Sequence, residues 1–420
     1  MTSRFLGRWL SPSQAPAHAA TVGKAAVAAG LSVAVMMALA APAAAAAGTS
    51  PVPRPEAYRD QPPLAYVSAG RVVVLDGKGG APLRVRGTTG ACCLAWSPDS
   101  AYLAFERHSD LWVVEHDGGE LHRVARSVAR WEWAPDGQAL AVIRQGAGGG
   151  IDFYGAEDPR IRETLLPEYR VRDLAWAGLG RRLVVSAAPP DTEDGAGGRA
   201  QLFMLEVPGP YGDDCPELCP EAPVSIPVDH PGAASGPLFA GWSPSVDSIA
   251  LWTAPDHGAT LGLLSPRGGN VVPIASTVVR RSWVRWSRSG DRLLVVDGQS
   301  RDASAPRSLL LCTRTTECRP ITGDDAAVTD PAWSGTGAMA YVQTERRQLW
   351  VADRDGGGAH QLTAAGDGVA APQWLPDAHH LVFVRDRTVW LVDANGGDAS
   401  PIGGPLGPRA AEEHLYSVAP

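Results

Sequence analysis

The densest group of chemically competent side chains is Glu115, His116, Asp117, Glu120 and His122, imidazoles and carboxylates of the kind that ligate a divalent metal. They straddle the turn Asp117-Gly118-Gly119, and donors spread over a flexible turn at a sheet rim are more simply a solvated hairpin. His379 and His380 follow Asp377 in another turn and read the same way. The Asp-Gly-Gly turns at 117 and 355 and the Asn395-Gly396-Gly397 copy carry the glycines of a calcium loop without its long alternating acidic register. No Gly-x-Ser-x-Gly nucleophile elbow and no His-Glu-x-x-His run occurs in the chain. The sequence therefore predicts no catalytic residue, no cofactor and no metal site.

Six cysteines are the other reactive groups. Cys312 and Cys318 end two apolar runs separated by Thr-Arg-Thr-Thr-Glu, so they can face each other across a hairpin and form a disulfide. Cys215 and Cys219 sit among prolines and can close a small loop as a second disulfide. Both pairs suit an oxidising compartment. Cys92 and Cys93 are neighbours on a strand, where alternation sends adjacent side chains to opposite faces. Two free buried thiols are expected there, in preference to a strained vicinal disulfide.

What must position all of these groups is a repeat. Tryptophan recurs at Trp96, Trp133, Trp176, Trp242, Trp286, Trp333 and Trp374, with spacings of 37, 43, 66, 44, 47 and 41 residues. Each closes an apolar strand and opens a turn, the signature of a four-stranded propeller blade. The first copy is the clearest. Ala95-Trp96 ends one strand, and Ser97-Pro98-Asp99-Ser100 turns the chain because proline presets the backbone angle of a tight turn. Residues 102–105 and 110–114 follow as the second and third strands, a Gly-Gly hairpin reverses the chain, and 121–125 is the fourth. The order returns behind Trp133, Trp286, Trp333 and Trp374, with Trp176 and Trp242 heading weaker copies.

Residues 64–67, 71–75 and 83–85 look like the second, third and fourth strands of a blade that lacks its tryptophan strand. The segment His414-Leu415-Tyr416-Ser417-Val418 can supply it and close the ring, which protects the edges an open array would expose. The expected fold is an all-β propeller of eight four-stranded blades, or of seven if 64–86 packs irregularly. A Cys- and Pro-rich insertion at about 187–236 is the least repetitive part; loops on a rigid scaffold often bind ligands, and a tolerated insertion weighs equally.

Repeats of Trp-Ser-Pro-Asp-Gly type, followed by an apolar strand and a Leu-Trp-Val-Val hairpin, resemble the TolB-like propellers over about 64–418. The same blade motif occurs in uncharacterised secreted proteins and in the N-terminal domains of prolyl oligopeptidases. The resemblance implies architecture. Trp176 is followed by Ala-Gly-Leu-Gly without the proline, so no partner surface carries over residue by residue. The length after the last repeat leaves no room for a hydrolase domain, which sets the chain apart from full peptidase relatives.

Residues 1–47 contain no Asp or Glu, carry Arg4, Arg8 and Lys24, and run uncharged from Ala25 into a string of alanines ending at Ala47. That is the layout of a signal peptide cleaved near Ala47, with an uncleaved anchor as the alternative. No Arg-Arg pair marks twin-arginine export, so a Sec-type route is expected. Residues 48–63 read as a linker. Cleavage shifts the formal net charge from −8 to −11, and an acidic surface excludes nucleic acid as a partner. The sequence predicts a monomeric protein of the cell envelope or medium, without stable membrane insertion after processing. Its expected role is a non-catalytic scaffold that binds a protein or peptide. The alternative is a propeller hydrolase or lyase acting on a carbohydrate or small substrate at the channel mouth.

Overall fold

The computed structural model describes residues 52–420 apart from 147–148, 159, 179–181, 191–199, 208–223, 227–235, 246, 254–258, 299, 301–304, 324–325, 365–367 and 408–415. The chain forms eight four-stranded antiparallel sheets. Numbered along the chain, blade 2 spans 91–125, blade 3 128–165, blade 4 170–226, blade 5 238–276, blade 6 284–320, blade 7 328–361 and blade 8 369–403. Blade 1 combines the strands of 64–84 with Tyr416–Val418 as its inner strand.

Each of the seven tryptophans ends the inner strand of its blade: Ala91–Trp96, Val128–Trp133, Arg170–Trp176, Leu238–Trp242, Val284–Trp286, Val328–Trp333 and Val369–Trp374. The residue after each tryptophan donates its N–H to a carbonyl four or five residues on, at 2.7–2.9 Å in every copy. One hydrogen bond thus defines the same turn seven times. The indoles staple blades together. Nε1 of Trp133 donates to the Ala95 carbonyl, that of Trp286 to Gly241 and that of Trp333 to Arg285, in each case the residue before the preceding blade's own tryptophan. The second strands read as continuous apolar runs, such as Leu140–Ile143, because blades cover them on both faces.

Closure follows the same geometry. Val418, Ser417 and Tyr416 pair with Leu64, Ala65 and Tyr66, Trp96 Nε1 donates to the Ser417 carbonyl at 3.0 Å, and Ala419 N–H donates to Pro63 O at 2.8 Å. That last bond is the eighth copy of the turn bond, made here between two distant parts of the chain. His414 and Leu415 lie outside the described residues. Residues 52–63 lie against the ring: Arg54 N–H donates to Pro401 O, Asp60 N–H to Gly77 O, and Tyr58 is buried.

The 66-residue gap between Trp176 and Trp242 is taken up by blade 4's own outer strands, Gln201–Glu206 and Val224–Ile226, with long connections between them. Those connections, including Cys215 and Cys219, lie outside the described residues, as do residues 1–47. No helix among the described residues is long and apolar enough to cross a membrane.

Candidate functional site

The inner strands line the channel, and six of the seven that end in tryptophan carry a register shift, from Cys92/Ala95 in blade 2 to Ala370/Gln373 in blade 8. A bulge adds a residue and re-aims side chains. Cys93, Asp330 and Ala371 take positive φ there, at 59°, 51° and 51°. Polar side chains concentrate one and three residues before the tryptophans, and they divide the channel wall into three sectors.

Blades 3 to 6 hold an ion network. Asp173, with its side chain 1% exposed, accepts from Arg281 Nη2 at 2.5 Å and from Phe239 N–H at 2.7 Å, and Arg130 Nε lies 3.4 Å away. Arg130 also bonds Glu132, and Arg281 Nε donates to Phe239 O at 2.9 Å. Enclosure pushes the Glu132 carboxyl above its ordinary range, with Arg130 and Arg281 pulling it back and Asp173 pushing it further up. Enclosure likewise lowers Arg281, against the pull of Asp173. Two cations and two anions face one another here, with Arg130 Nε near Asp173 but making no hydrogen bond, so the raised carboxyl belongs to a structural clamp joining blades 3, 4, 5 and 6.

Blades 6 to 8 and blade 1 form a cleft. A cavity of about 370 Å³ is lined by Arg285, Trp286, Asp330, Trp333, Gln373 and Trp374. A second, of about 400 Å³, shares Trp286, Trp333, Gln373 and Trp374 and extends to Arg288 and Pro420. A third, of about 400 Å³, continues outward past Arg288 and Thr336 to Arg292 and Arg354. Asp330 accepts from Ala371 N–H at 3.2 Å and from the Thr329 hydroxyl at 3.1 Å. Gln373 bridges to the closing strand, accepting from Val418 N–H at 3.2 Å. The result is an aromatic-floored groove with guanidinium, amide and carboxylate groups at its sides, the composition of a recognition site.

The third sector is in blade 2. Cys92 and Cys93 are half-buried and not joined by a disulfide, with sulfurs 2.9 Å apart. The expectation that no vicinal disulfide joins them holds, while full burial and opposite facing do not: the bulge at Cys93 overrides strand alternation and turns both to one side.

The other residues singled out in the sequence fall elsewhere. Cys312 and Cys318 are joined by a disulfide and pair directly across blade 6's outer hairpin. Around the Gly-Gly turn of blade 2, Asp117 accepts from Gly119 N–H at 2.8 Å and Glu115 from Glu120 N–H at 3.3 Å, so these carboxylates cap their own turn. Asp377 accepts from His379 N–H and pairs with His380 Nδ1 at 2.6 Å. Against partial desolvation, those bonds hold its carboxyl below the usual range. Sequence reasoning missed Arg130, Glu132, Asp173, Arg281, Asp330 and Gln373. The available signal was position: each but Arg281 is a polar residue one or three places before a repeat tryptophan.

No family model matches the chain, and no curated protein does. Solved structures match at the level of fold. Dihydro-heme d1 dehydrogenase NirN in complex with DHE aligns at 14% identity over 81% of this chain and 73% of its own, with a TM-score of 0.57. Dipeptidyl peptidase 4 of Porphyromonas gingivalis aligns at 12% identity over 80% of this chain and 58% of the peptidase, with a TM-score of 0.51. A putative TolB from Agrobacterium tumefaciens aligns at 13% identity over 86% of this chain and 99% of its own, with a TM-score of 0.37. The fold that the first two share with the chain is the propeller.

Proposed function

We propose that the chain is an exported, non-catalytic propeller that binds a protein partner by taking an extended segment of it into the cleft over blades 6 to 8. The cleft carries this reading. Three neighbouring cavities share their walls and together make a groove with Trp286, Trp333 and Trp374 as apolar ground and Arg285, Arg288 and Gln373 as hydrogen-bonding groups. Aromatic and Arg side chains are those that dominate peptide-binding hot spots. The carboxylate lining the first cavity, Asp330, is occupied by Ala371 N–H and the Thr329 hydroxyl, which disfavours the alternative of acid–base chemistry on a carbohydrate. Residues 1–47 as a cleaved signal peptide and the Cys312–Cys318 disulfide support an envelope or extracellular setting.

The test is selection of peptides on chain 48–420 from a random display library, followed by affinity measurements with Arg288→Glu and Thr336→Lys, two rim changes. Weakening by both variants, with Arg123→Ala on blade 2 unaffected, is the expected result. Peptides that bind all three variants like the parent would place recognition off the cleft.

A further inference from the structure

Independently of the cleft, we propose that Cys92, Cys93 and Glu106 form a site for one thiophilic d10 cation of the zinc class on the channel side of blade 2. Their ligand atoms all lie within 4.8 Å of one another, and all three residues are half-buried, so an ion can reach them. The register places Cys92 directly opposite Glu106 on the neighbouring strand. The left-handed conformation of Cys93, φ 59°, brings its sulfur beside that of Cys92, where a regular strand would send it to the other face. The Cys93 thiol donates to Cys92 Sγ at 2.9 Å.

Tetrahedral coordination with zinc–sulfur bonds of about 2.3 Å needs the sulfurs about 3.8 Å apart, so the pair, 2.9 Å apart here, must open to take the ion. Glu106 is held from behind, because Trp131 Nε1 donates to its Oε1 at 2.9 Å. Such an outer hydrogen bond orients a ligating carboxylate. On binding, each thiol releases its proton to solvent as its sulfur–metal bond forms. Two thiolates and a carboxylate outweigh a divalent ion by a single negative charge and leave a fourth position for water or an incoming donor.

The experiment uses the chain from residue 48, treated with mild reductant and checked by alkylation for reduced Cys92 and Cys93. Titration with Cd²⁺ is followed by the ultraviolet thiolate-to-cadmium charge-transfer band, with Zn²⁺ as competitor. The expected result is a band saturating at one equivalent, abolished by Cys92→Ser and by Cys93→Ser and displaced by Zn²⁺. Glu106→Gln should weaken binding, and Trp131→Phe should weaken it about 10- to 100-fold, the range for loss of an outer-shell partner. No band with both thiols reduced overturns the proposal. A band that survives in the Cys92→Ser, Cys93→Ser double variant overturns it equally, because the ion would then sit on other sulfurs.

Discussion

Removing Tyr416–Pro420 is the sharpest test of how the ring is held. Tyr416 is 1% exposed, and its hydroxyl donates to the carbonyls of Ala371 and Val382 in blade 8. Truncating a buried aromatic ring to alanine costs about 3–5 kcal/mol. The deletion also removes the Trp96 indole bond, the Ala419–Pro63 bond and the ladder to Leu64–Tyr66, each worth about 1 kcal/mol net. Together the loss is about 6–10 kcal/mol, comparable with the whole margin of about 5–15 kcal/mol of a folded domain. Unfolding entropy of about 2.1 cal/mol/K per residue makes 1 kcal/mol worth about 1.3 °C in a ring of this size. The truncated chain should therefore melt about 8–13 °C lower or aggregate through the strand Leu64–Ser68, Tyr416→Ala should lose about 4–7 °C, and Tyr416→Phe about 1–2 °C. Differential scanning calorimetry with light scattering reads all three. Burial raises the Tyr416 phenol well above 10.0, so the folded state keeps its proton where the unfolded state loses it. That contribution is complete below pH 10.0 and is lost as pH rises toward the folded value, so the alkaline fall in stability should be shallower in Tyr416→Phe. A truncation that melts with the parent would refute the reasoning and leave the tail outside the ring.

The ion network gives a second test. Because Glu132 is raised above 4.5, the folded state binds more protons than the unfolded one between that pH and the folded value, so stability rises as pH falls through that window. Glu132→Gln should lack this rise in urea melts across the acidic range, and parallel curves would contradict it. Asp173→Ala, which strands Arg281 and Arg130, should lose about 3–5 kcal/mol, while a loss under about 1 kcal/mol would show that the network is not a clamp. Non-reducing peptide mapping should recover Cys312 linked to Cys318, and reduction should cost about 2 kcal/mol for so short a loop; free alkylation of both in unreduced, denatured protein would exclude the bond. N-terminal sequencing of protein from envelope or medium should begin near Gly48, whereas intact Met1 in the cytosol would rule out processing.

The blades were legible because their signal is local. A tryptophan, a tight turn and an apolar run sit within a dozen residues of each other, and the structure places each tryptophan at an inner strand's end. The eighth blade was legible by deficit: strands expected at 64–67, 71–75 and 83–85 lacked an inner partner, and the segment 414–418 was left over to supply it, of which Tyr416–Val418 forms the strand. The channel chemistry was not legible, because it depends on bulges and distant pairing. Arg281 meets Asp173 across 108 residues and two blades, and nothing in either neighbourhood announces the other. Cys92 and Cys93 were misplaced for the same reason, since strand alternation is the right rule until one residue turns left-handed. Only Trp-relative position, one or three places upstream, would have pointed at Glu132, Asp173, Asp330 and Gln373.

The eighth turn bond, between Ala419 and Pro63, has a consequence in time. Ser417, which accepts the indole of Trp96, is made 321 residues after it. Until Tyr416–Val418 has been made, the edge of Leu64–Ser68 lacks the strand that pairs with it in the folded ring. Bringing ends this far apart together carries a loop-closure entropy of about 5 kcal/mol, unless blades 2 to 8 have already stacked and curved the chain back on itself. Ring completion is thus a non-local event whose entropic cost falls once the blades between have stacked.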